Sequence, residues 1–432
     1  MQRFRLLVVN VIFISALGAQ ASQNGKSDTQ KSTRAVMTLT EINERVLARS
    51  EYLKAQKLQV QSVEAQGRQA TAWHNPIVSA EIGRIRDPLN NSMTYDLRLT
   101  QPFYFPGKLS AYGAIFEREA AFQKIQGNEL AESLSLEAVY FAYAFSIAEQ
   151  RASHSQDRIR RISLMRTYMR AQAYASPAKL IQRNIVSTQL IALQKTLAEE
   201  SAAVESAWQK LNVYLDQKEK ISVVTPWLID LKDLNLEKFL EQVEKGNRRL
   251  KAKQMQIARL EAEESYEKRV PLPDVALSAF YRRETLEHPG INEFFGGMFS
   301  LPIPILNANR SAVEAAQKKV AAAKEEEKYL TREVLHTARS LHAEYMHKKV
   351  LFDNFKEEKI PALERQMRYA DRELKLGRID LLSYLELELK THEAYVAYYD
   401  AQLELVKVIT QMILLIGESS VYKGDLYVFQ DN

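Results

Sequence analysis

The sequence predicts a mainly α-helical chain with a small β part: duplicated long antiparallel coiled-coil helices plus two β-hairpins. Three observations predict it. The chain repeats its own punctuation at an offset of about two hundred residues. Apolar residues recur at sevens along stretches almost free of Gly and Pro. Two short regions between prolines switch to a period of two.

The bulk composition agrees. The 432 residues include 26% charged and 46% hydrophobic side chains but only 14 Gly and 12 Pro, which excludes collagen-like and disordered classes. A net charge of +5 is small for this length, so nucleic-acid binding is not indicated. With no cysteine, disulfides, zinc ribbons, thiol catalysis and an acylated lipoprotein cysteine are all excluded.

At the N-terminus Arg3 and Arg5 precede an apolar run over residues 6–18, and Ala19-Gln20-Ala21 follows as an A-x-A cleavage site. That order predicts a secretory signal peptide over residues 1–21, too short to span a bilayer. Residues 22–38 read as a flexible polar linker. No later stretch approaches the ~20 apolar residues of a spanning helix. The chain is expected to be exported and to carry no helical anchor.

The first repeat covers residues 39–215 and the second 238–417. A helical pattern over 39–72 runs into Asn75-Pro76, alternating residues, then Gln101-Pro102-Phe103-Tyr104-Phe105-Pro106-Gly107. A helical pattern over 234–268 runs into Leu272-Pro273, alternating residues, then Leu301-Pro302-Ile303-Pro304. Pro76 and Pro273 lie 197 positions apart and Pro102 and Pro302 lie 200 apart, a difference that one longer hairpin loop absorbs.

Residues 76–104 and 274–303 are the expected hairpins, with turns at Asp87-Pro88 and His288-Pro289-Gly290. One face of the first carries Met93, Tyr95, Leu97 and Leu99; the other carries Thr94, Asp96, Arg98 and Thr100. In the second, Tyr281 follows Val275, Leu277 and Ala279 on one face, and Phe295 and Phe299 share a side with Leu301. Tyr95, Leu97, Leu99, Tyr281, Phe295 and Phe299 are the candidate lipid-facing residues. Strands of about ten residues suit a tilted membrane crossing. Four cannot close a barrel, which needs about eight, and open edges in lipid are prohibitive. Several chains would have to share one barrel. From the strands alone, two hairpins packed on the helices of a soluble protein fit equally well.

The helices tip that balance. Residues 108–173 contain no Pro and one glycine, Gly127, and would run about 100 Å as one helix. Tyr174-Ala175-Ser176-Pro177 stops it. Residues 178–214 follow, with Leu190, Leu197, Val204 and Leu211 at sevens. In the second repeat a helix over 309–376 breaks at Gly377 and another spans 378–416, with Leu382, Leu389, Val396 and Leu403 at sevens. In each repeat two short helices end to end match one long one. A tall cylinder of uniform height demands that, and a globular core does not.

The order and spacing of these features resemble the TolC family of outer-membrane factors. The resemblance covers essentially the whole mature chain. It rests on the duplicated plan, Asn75-Pro76, Gln101-Pro102 through Lys108, Pro302-Ile303-Pro304, and the segment from Leu376 to Leu382. It implies a homotrimer whose barrel has twelve strands, four from each chain, above a trimeric α-barrel. Residues 216–237 and 418–432 would form an equatorial belt. The implied place is the outer membrane of a Gram-negative bacterium, with most of the chain in the periplasm. The implied partners are a periplasmic adaptor protein, an inner-membrane transporter and outer-membrane lipid. The implied activity is passive conduction in a tripartite efflux or type I secretion system. Pro106-Gly107-Lys108 is similar to the heavy-metal efflux branch, although the lipid-anchor cysteine of some members is missing.

In that family acidic residues after the tip turn ring the pore. By spacing from Gly377, Glu386 falls at an acidic-ring position, and Ser383 stands where the family usually has aspartate. Asn184 and Ile181 hold the like places after Ala175. Glu386 and Glu388 also read simply as solvated helix residues. Arg378 and Asp380 could tie neighbouring tips. Tyr174, Ser176, Pro177, Lys375 and Leu376 are the candidate adaptor contacts.

No catalytic or cofactor motif appears. His336, His342 and His347 do not share a helix face, and Val396 stands where a zincin motif begun by His392-Glu393 needs its second His. An enzyme is not expected, nor a cofactor. Two rivals remain: an exported soluble coiled-coil scaffold binding partners through its helices, and a pore-forming helical toxin.

Overall fold

A computed structural model describes residues 34–87, 90–171, 176–225, 230–231, 235–285, 290–417 and 427–428. The predicted signal peptide, most of the linker, Tyr174 and most of the tail lie outside them. In chain order come β1 (Val36–Thr38), α1 (Leu39–Arg49), α2 (Glu51–Ala70), β2 (Ile77–Asp87), β3 (Asn90–Phe103), α3 (Lys108–Ala171), α4 (Pro177–Leu215), β4 (Ser222–Val224) and β5 (Asp230–Leu231). The second half gives α5 (Leu236–Gly246), α6 (Arg248–Glu267), β6 (Val275–Thr285), β7 (Ile291–Ser300), α7 (Arg310–Asn354), α8 (Ile360–Lys375), α9 (Leu381–Ile416) and β8 (Tyr427–Val428).

The helices form four side-by-side columns: α2, α1 and α4 stacked; α3; α6, α5 and α9 stacked; and α7 with α8. The stacked first column totals 70 residues against 64 for α3, and the stacked third totals 67 against 66 for the fourth with its π-turn. At 1.5 Å per residue all four are about 100 Å tall. The strands continue the columns in the same lateral order, as one antiparallel sheet β2-β3-β6-β7.

Two expected single helices are broken. Residues 39–72 split at Ser50 and 234–268 split at Asn247, because each residue takes an extended ψ and caps the next helix. Ser50 Oγ accepts from Leu53 N at 3.3 Å, and Asn247 Oδ1 accepts from Leu250 N at 3.1 Å. Asn247 is 2% exposed and does more: its Nδ2 donates to the Leu415 carbonyl at 2.9 Å, joining α6 to the end of α9. Gly417, at φ +66°, then stops α9; a Cβ there would lie 2.8 Å from the Gly246 carbonyl oxygen. The expected helix over 309–376 also departs from uniformity. Pro361 lacks an N–H and crowds the preceding carbonyls, and the turn Phe355–Lys359 widens to π geometry just before it.

The linker reading needs one correction. Its last residues, Val36–Thr38, pair in parallel with Ser222–Val224, Met37 is buried, and Thr38 forms a capping box with Glu41. β5 and β8, which lie within the two expected belt segments, pair antiparallel. The main apolar core lies where stacked helices meet end to end, with Ile42, Tyr143, Trp208, Leu215, Phe239 and Ile409 buried together. A second cluster near the tip joins Ile162, Val186, Leu190, Met367 and Tyr384. Among the described residues no helix is long and apolar enough to cross a membrane.

Because Asn247 satisfies two helix ends at once, Asn247→Ala is expected to cost about 2 kcal/mol. Ser50→Ala, which loses one cap, should cost less. Thermal melting followed by helical circular dichroism checks the ranking; equal melting temperatures would contradict the bridging role.

Candidate functional site

Alternation puts every second strand residue on one side of the sheet, and the register aligns them across all four strands. Ala80, Leu97, Tyr281 and Phe295 form one row; Val78, Leu99, Ala279 and Gly297 form the next; Leu277 and Phe299 pair beyond it. Ile82 and Tyr95 continue the face toward the hairpin tips, where Arg283 and Glu293 begin a charged rim. Phe295 is 74% exposed and Phe299 63%, with Tyr95, Leu97 and Leu99 also open. All six expected lipid-facing residues lie on this one face.

The opposite face is polar along β3 and mixed elsewhere, with Ile77, Ile85, Phe294 and Met298 exposed on it. Ser92, Asp96 and Ser278 are buried there, crowded by their own neighbours on the sheet. Arg282 donates Nε and Nη2 to Asp96 Oδ2 at 3.1 and 2.9 Å, and Thr100 and Ser278 hydroxyls lie 2.8 Å apart. Within one chain β2 and β7 are the sheet's two edges, each with one side unpaired.

The other end of the columns carries the tip turn. Gly377 at φ +69° ends α8, with nothing within 4 Å of its missing Cβ, so the requirement is conformational. Asp380 caps α9, accepting from Leu382 N at 2.9 Å and Ser383 N at 3.0 Å. The Ser383 hydroxyl also donates to it at 2.5 Å, and these hydrogen bonds hold its carboxyl below the usual range. Arg378 lies 3.7 Å from Glu373 of its own hairpin. Within the chain, Arg378 and Asp380 therefore serve the local turn rather than each other.

Glu386 is exposed one helical stretch further on. Asn184 is exposed on α4, with α3 between its column and that of Glu386. Ser176 caps α4 and Pro177 opens it, while Lys375 and Leu376 stand exposed on the turn. Between the two helical hairpins lies a cavity of about 790 Å³, lined by Met165, Tyr168, Arg183, Asp371, Ile379 and Tyr384 among others.

One expectation on α9 is overturned and another is not met within a single chain. Leu382 and Leu389, two of the residues recurring at sevens, are 57% and 42% exposed in one chain. The buried stripe runs instead through Leu381, Tyr384, Glu388 and Thr391. Glu388 is not a solvated residue: it is 1% exposed and pairs with Arg158, 2% exposed, at 2.5 and 2.9 Å. Arg151 pairs with Asp400, and His154 stacks on His392 with ring centroids 5.6 Å apart. This polar ladder joins α3 to α9, the two halves of the duplicated chain. Sequence reasoning missed it because charged residues were assigned to surface; the 3–4 spacing of Leu381, Tyr384, Glu388 and Thr391 was the available signal.

Breaking the ladder pair should be costly and replacing it cheap. Glu388→Gln or Arg158→Met alone is expected to destabilise by about 3–5 kcal/mol, and Arg158→Met with Glu388→Leu by far less. Denaturant unfolding of all three checks this; additive losses in the double variant would contradict it.

Burial lowers the pKa of both His154 and His392 to about 4, with nearby arginines and, for His154, the other histidine adding to it. Their ordinary value of 6.5 is the unfolded reference. Between those values the unfolded chain binds more protons, so stability falls as pH drops from 6.5 to about 4 and is flat above. Melting temperature against pH should show that slope, and the His154→Gln, His392→Gln double variant should flatten it.

No protein-family model and no curated protein sequence matches the chain. Solved structures do. The chain is similar to CusC, described as forming a transmembrane channel, with a TM-score of 0.71 at 12% identity over 92% of this chain and 95% of that one. The open-state outer-membrane channel MtrE of Neisseria gonorrhoeae gives 0.70 at 14%, covering 88% of each. The outer-membrane channel CmeC of Campylobacter jejuni gives 0.68 at 13%, over 97% and 96%. The fold is that of the TolC-type outer-membrane channels.

Proposed function

We propose that this chain is a TolC-family outer-membrane exit duct, acting as a homotrimer in a tripartite efflux or type I secretion system. One observation carries the reading: a four-stranded sheet, apolar and exposed on one face, mainly polar on the other and open at both edges, stands on four helical columns of equal height. Three copies joined edge to edge give twelve strands, enough for a closed barrel whose lumen is the polar face. The same lateral order in the helices extends that closure into a tunnel about 100 Å tall.

The fold shared with outer-membrane channels supports this reading and the absence of any catalytic role. The duct would be passive, the energy coming from an inner-membrane transporter. A periplasmic adaptor would dock at the tip, where Ser176, Pro177, Lys375 and Leu376 stand at the turns and Lys375 lines the groove between the hairpins. Near the trimer axis three copies of Glu386 would attract cations. Leu382 and Leu389, exposed in one chain, would lie against a neighbour.

The test is conductance of the detergent-extracted protein in planar bilayers. A stable single-channel current in KCl is expected, and Glu386→Gln should lower the potassium-to-chloride preference about twofold. Failure to form any channel would overturn the duct, and unchanged selectivity would remove Glu386 from the pore.

A further inference from the structure

The chain contains one joint between its two repeats, and that joint is a template for another. β3 of the first repeat pairs with β6 of the second, with Phe103 opposite Val275 and Thr100 opposite Ser278. Below the strands Phe105 N donates to Asp274 Oδ1 at 2.8 Å. Lys108 Nζ donates to the Leu272 carbonyl at 2.8 Å and to Asp274 Oδ2 at 3.0 Å. The matching strands of the opposite repeats, β7 and β2, are the two edges of the sheet. β7 stops at Ser300, three residues short of Ile303, which matches the end of β3 at Phe103. The residues beyond Ser300 are apolar and open: Ile303 and Ile305 are 72% and 79% exposed, and Leu306 is fully exposed. On the side toward α6 this connector is tied down, with Asn309 Nδ2 donating to the Glu267 carbonyl at 2.9 Å.

The proline offsets carry the template across. Positions before the hairpin turn differ by 197 between the repeats, and positions after it by 200. Val275 therefore corresponds to Val78 and Phe103 to Ile303. In that register β7 meets β2 of another copy with Phe299 opposite Ile82, Leu301 opposite Ala80 and Ile303 opposite Val78. By alternation all six belong to the apolar face, and a slip of one residue would set that face against the polar one. Closure agrees. A row followed across one copy runs from Ala80 through Leu97 and Tyr281 to Phe295, and the register sets Phe295 opposite Arg86 of the next copy, six residues along β2. Three such steps over twelve strands give a tilt of about 45°, from spacings of about 3.3 Å along and about 4.8 Å between strands. A register two residues longer gives about 54°, beyond the usual range, and one two residues shorter gives about 35°. The internal repeat selects the middle of the three.

We propose that residues 299–306 of one copy pair with and pack on residues 75–82 of the next, in this register, as the seam of the ring. The seam rests on the duct reading, because it needs a second copy at each edge. β7 then continues through Ile303, as β3 continues through Phe103. Beneath the strands the seam differs from the joint within the chain. Asp274 corresponds to Ile77 and Phe105 to Ile305, so apolar contact stands where the chain's own joint has the Lys108–Asp274 ion pair. Leu306 falls opposite Asn75 and is covered beside Trp73, itself exposed in one chain. A second copy fits this surface better than lipid does, because lipid cannot satisfy the unpaired side of either edge strand.

The experiment uses the full chain in isolated membranes, with a one-carbon bis-methanethiosulfonate to link cysteines. Ile82→Cys with Phe299→Cys, Ala80→Cys with Leu301→Cys, and Val78→Cys with Ile303→Cys should each give a reducible ladder ending at three chains. Ile82→Cys with Ile303→Cys, about 14 Å out of register, should link about tenfold more slowly. Leu306→Asp should lower the amount of trimer that resists dodecyl sulfate about tenfold, and Leu306→Met should retain it. Faster linking of pairs shifted by two, such as Ala80→Cys with Phe299→Cys, overturns the register and leaves the duct. Assembly unchanged by Leu306→Asp overturns the apolar joint. A ladder in the proposed register from a protein that conducts no current keeps the seam and removes the duct. No linkage from any of these pairs removes both.

Discussion

A strand edge cannot be left open in hydrocarbon, and the proposed duct depends on that constraint. Each unpaired N–H or C=O there costs several kcal/mol, because no water is present to receive it. The four strands of one chain leave β2 and β7 each with an unsatisfied side, while Phe295 and Phe299 on β7 and Val78 and Ile82 on β2 expose apolar side chains beside those edges. Such a sheet is a liability in water, where it invites aggregation. In the proposed duct the edges would satisfy each other in a closed ring of copies.

In the proposed duct the helices would serve the same closure. A column beneath each strand, in the same lateral order, would let curvature pass from sheet to tunnel without a crossing. Equal column heights follow from end-to-end stacking, and the stack depends on joints as much as on helix length. Asn247 is such a joint, bonding to one helix start and one helix end while buried in the main core. Lower down, the two halves of the chain meet through Arg158–Glu388 and the histidine stack as well as through the apolar tip cluster. Buried ion pairs contribute little net stability against an apolar alternative, and they tolerate few registers. An interface of that kind fixes how the two hairpins align, while the apolar contacts within each hairpin hold it together.

Much of this was legible in the sequence. The proline and glycine punctuation located both hairpins and the tip turn at Gly377, because these residues restrict the backbone wherever they stand. Period-two alternation placed Tyr95, Leu97 and Leu99 with Tyr281, Phe295 and Phe299, although nothing local shows that the two hairpins join through β3 and β6. The breaks at Ser50 and Asn247 were not read, since an N-cap residue inside a helical pattern looks like a tolerated polar position. The sevens at Leu382 and Leu389 do not mark the core within one chain, where the buried stripe contains Glu388 and Thr391, whose chemistry hides their burial. Asp380 was read for its charge, and its hydrogen bonds commit it to capping.

The chain contains no cysteine, so the edge pairing can be tested by introducing one pair at a time. Cysteines at Val78, Ala80 or Ile82 on β2, each combined with one at Phe295 or Phe299 on β7, should cross-link when the protein is oxidised in its native membrane. A three-chain ring requires that at least one pair yields a reducible ladder that stops at three chains. Monomer alone from every pair, or a ladder running on past three, would contradict it.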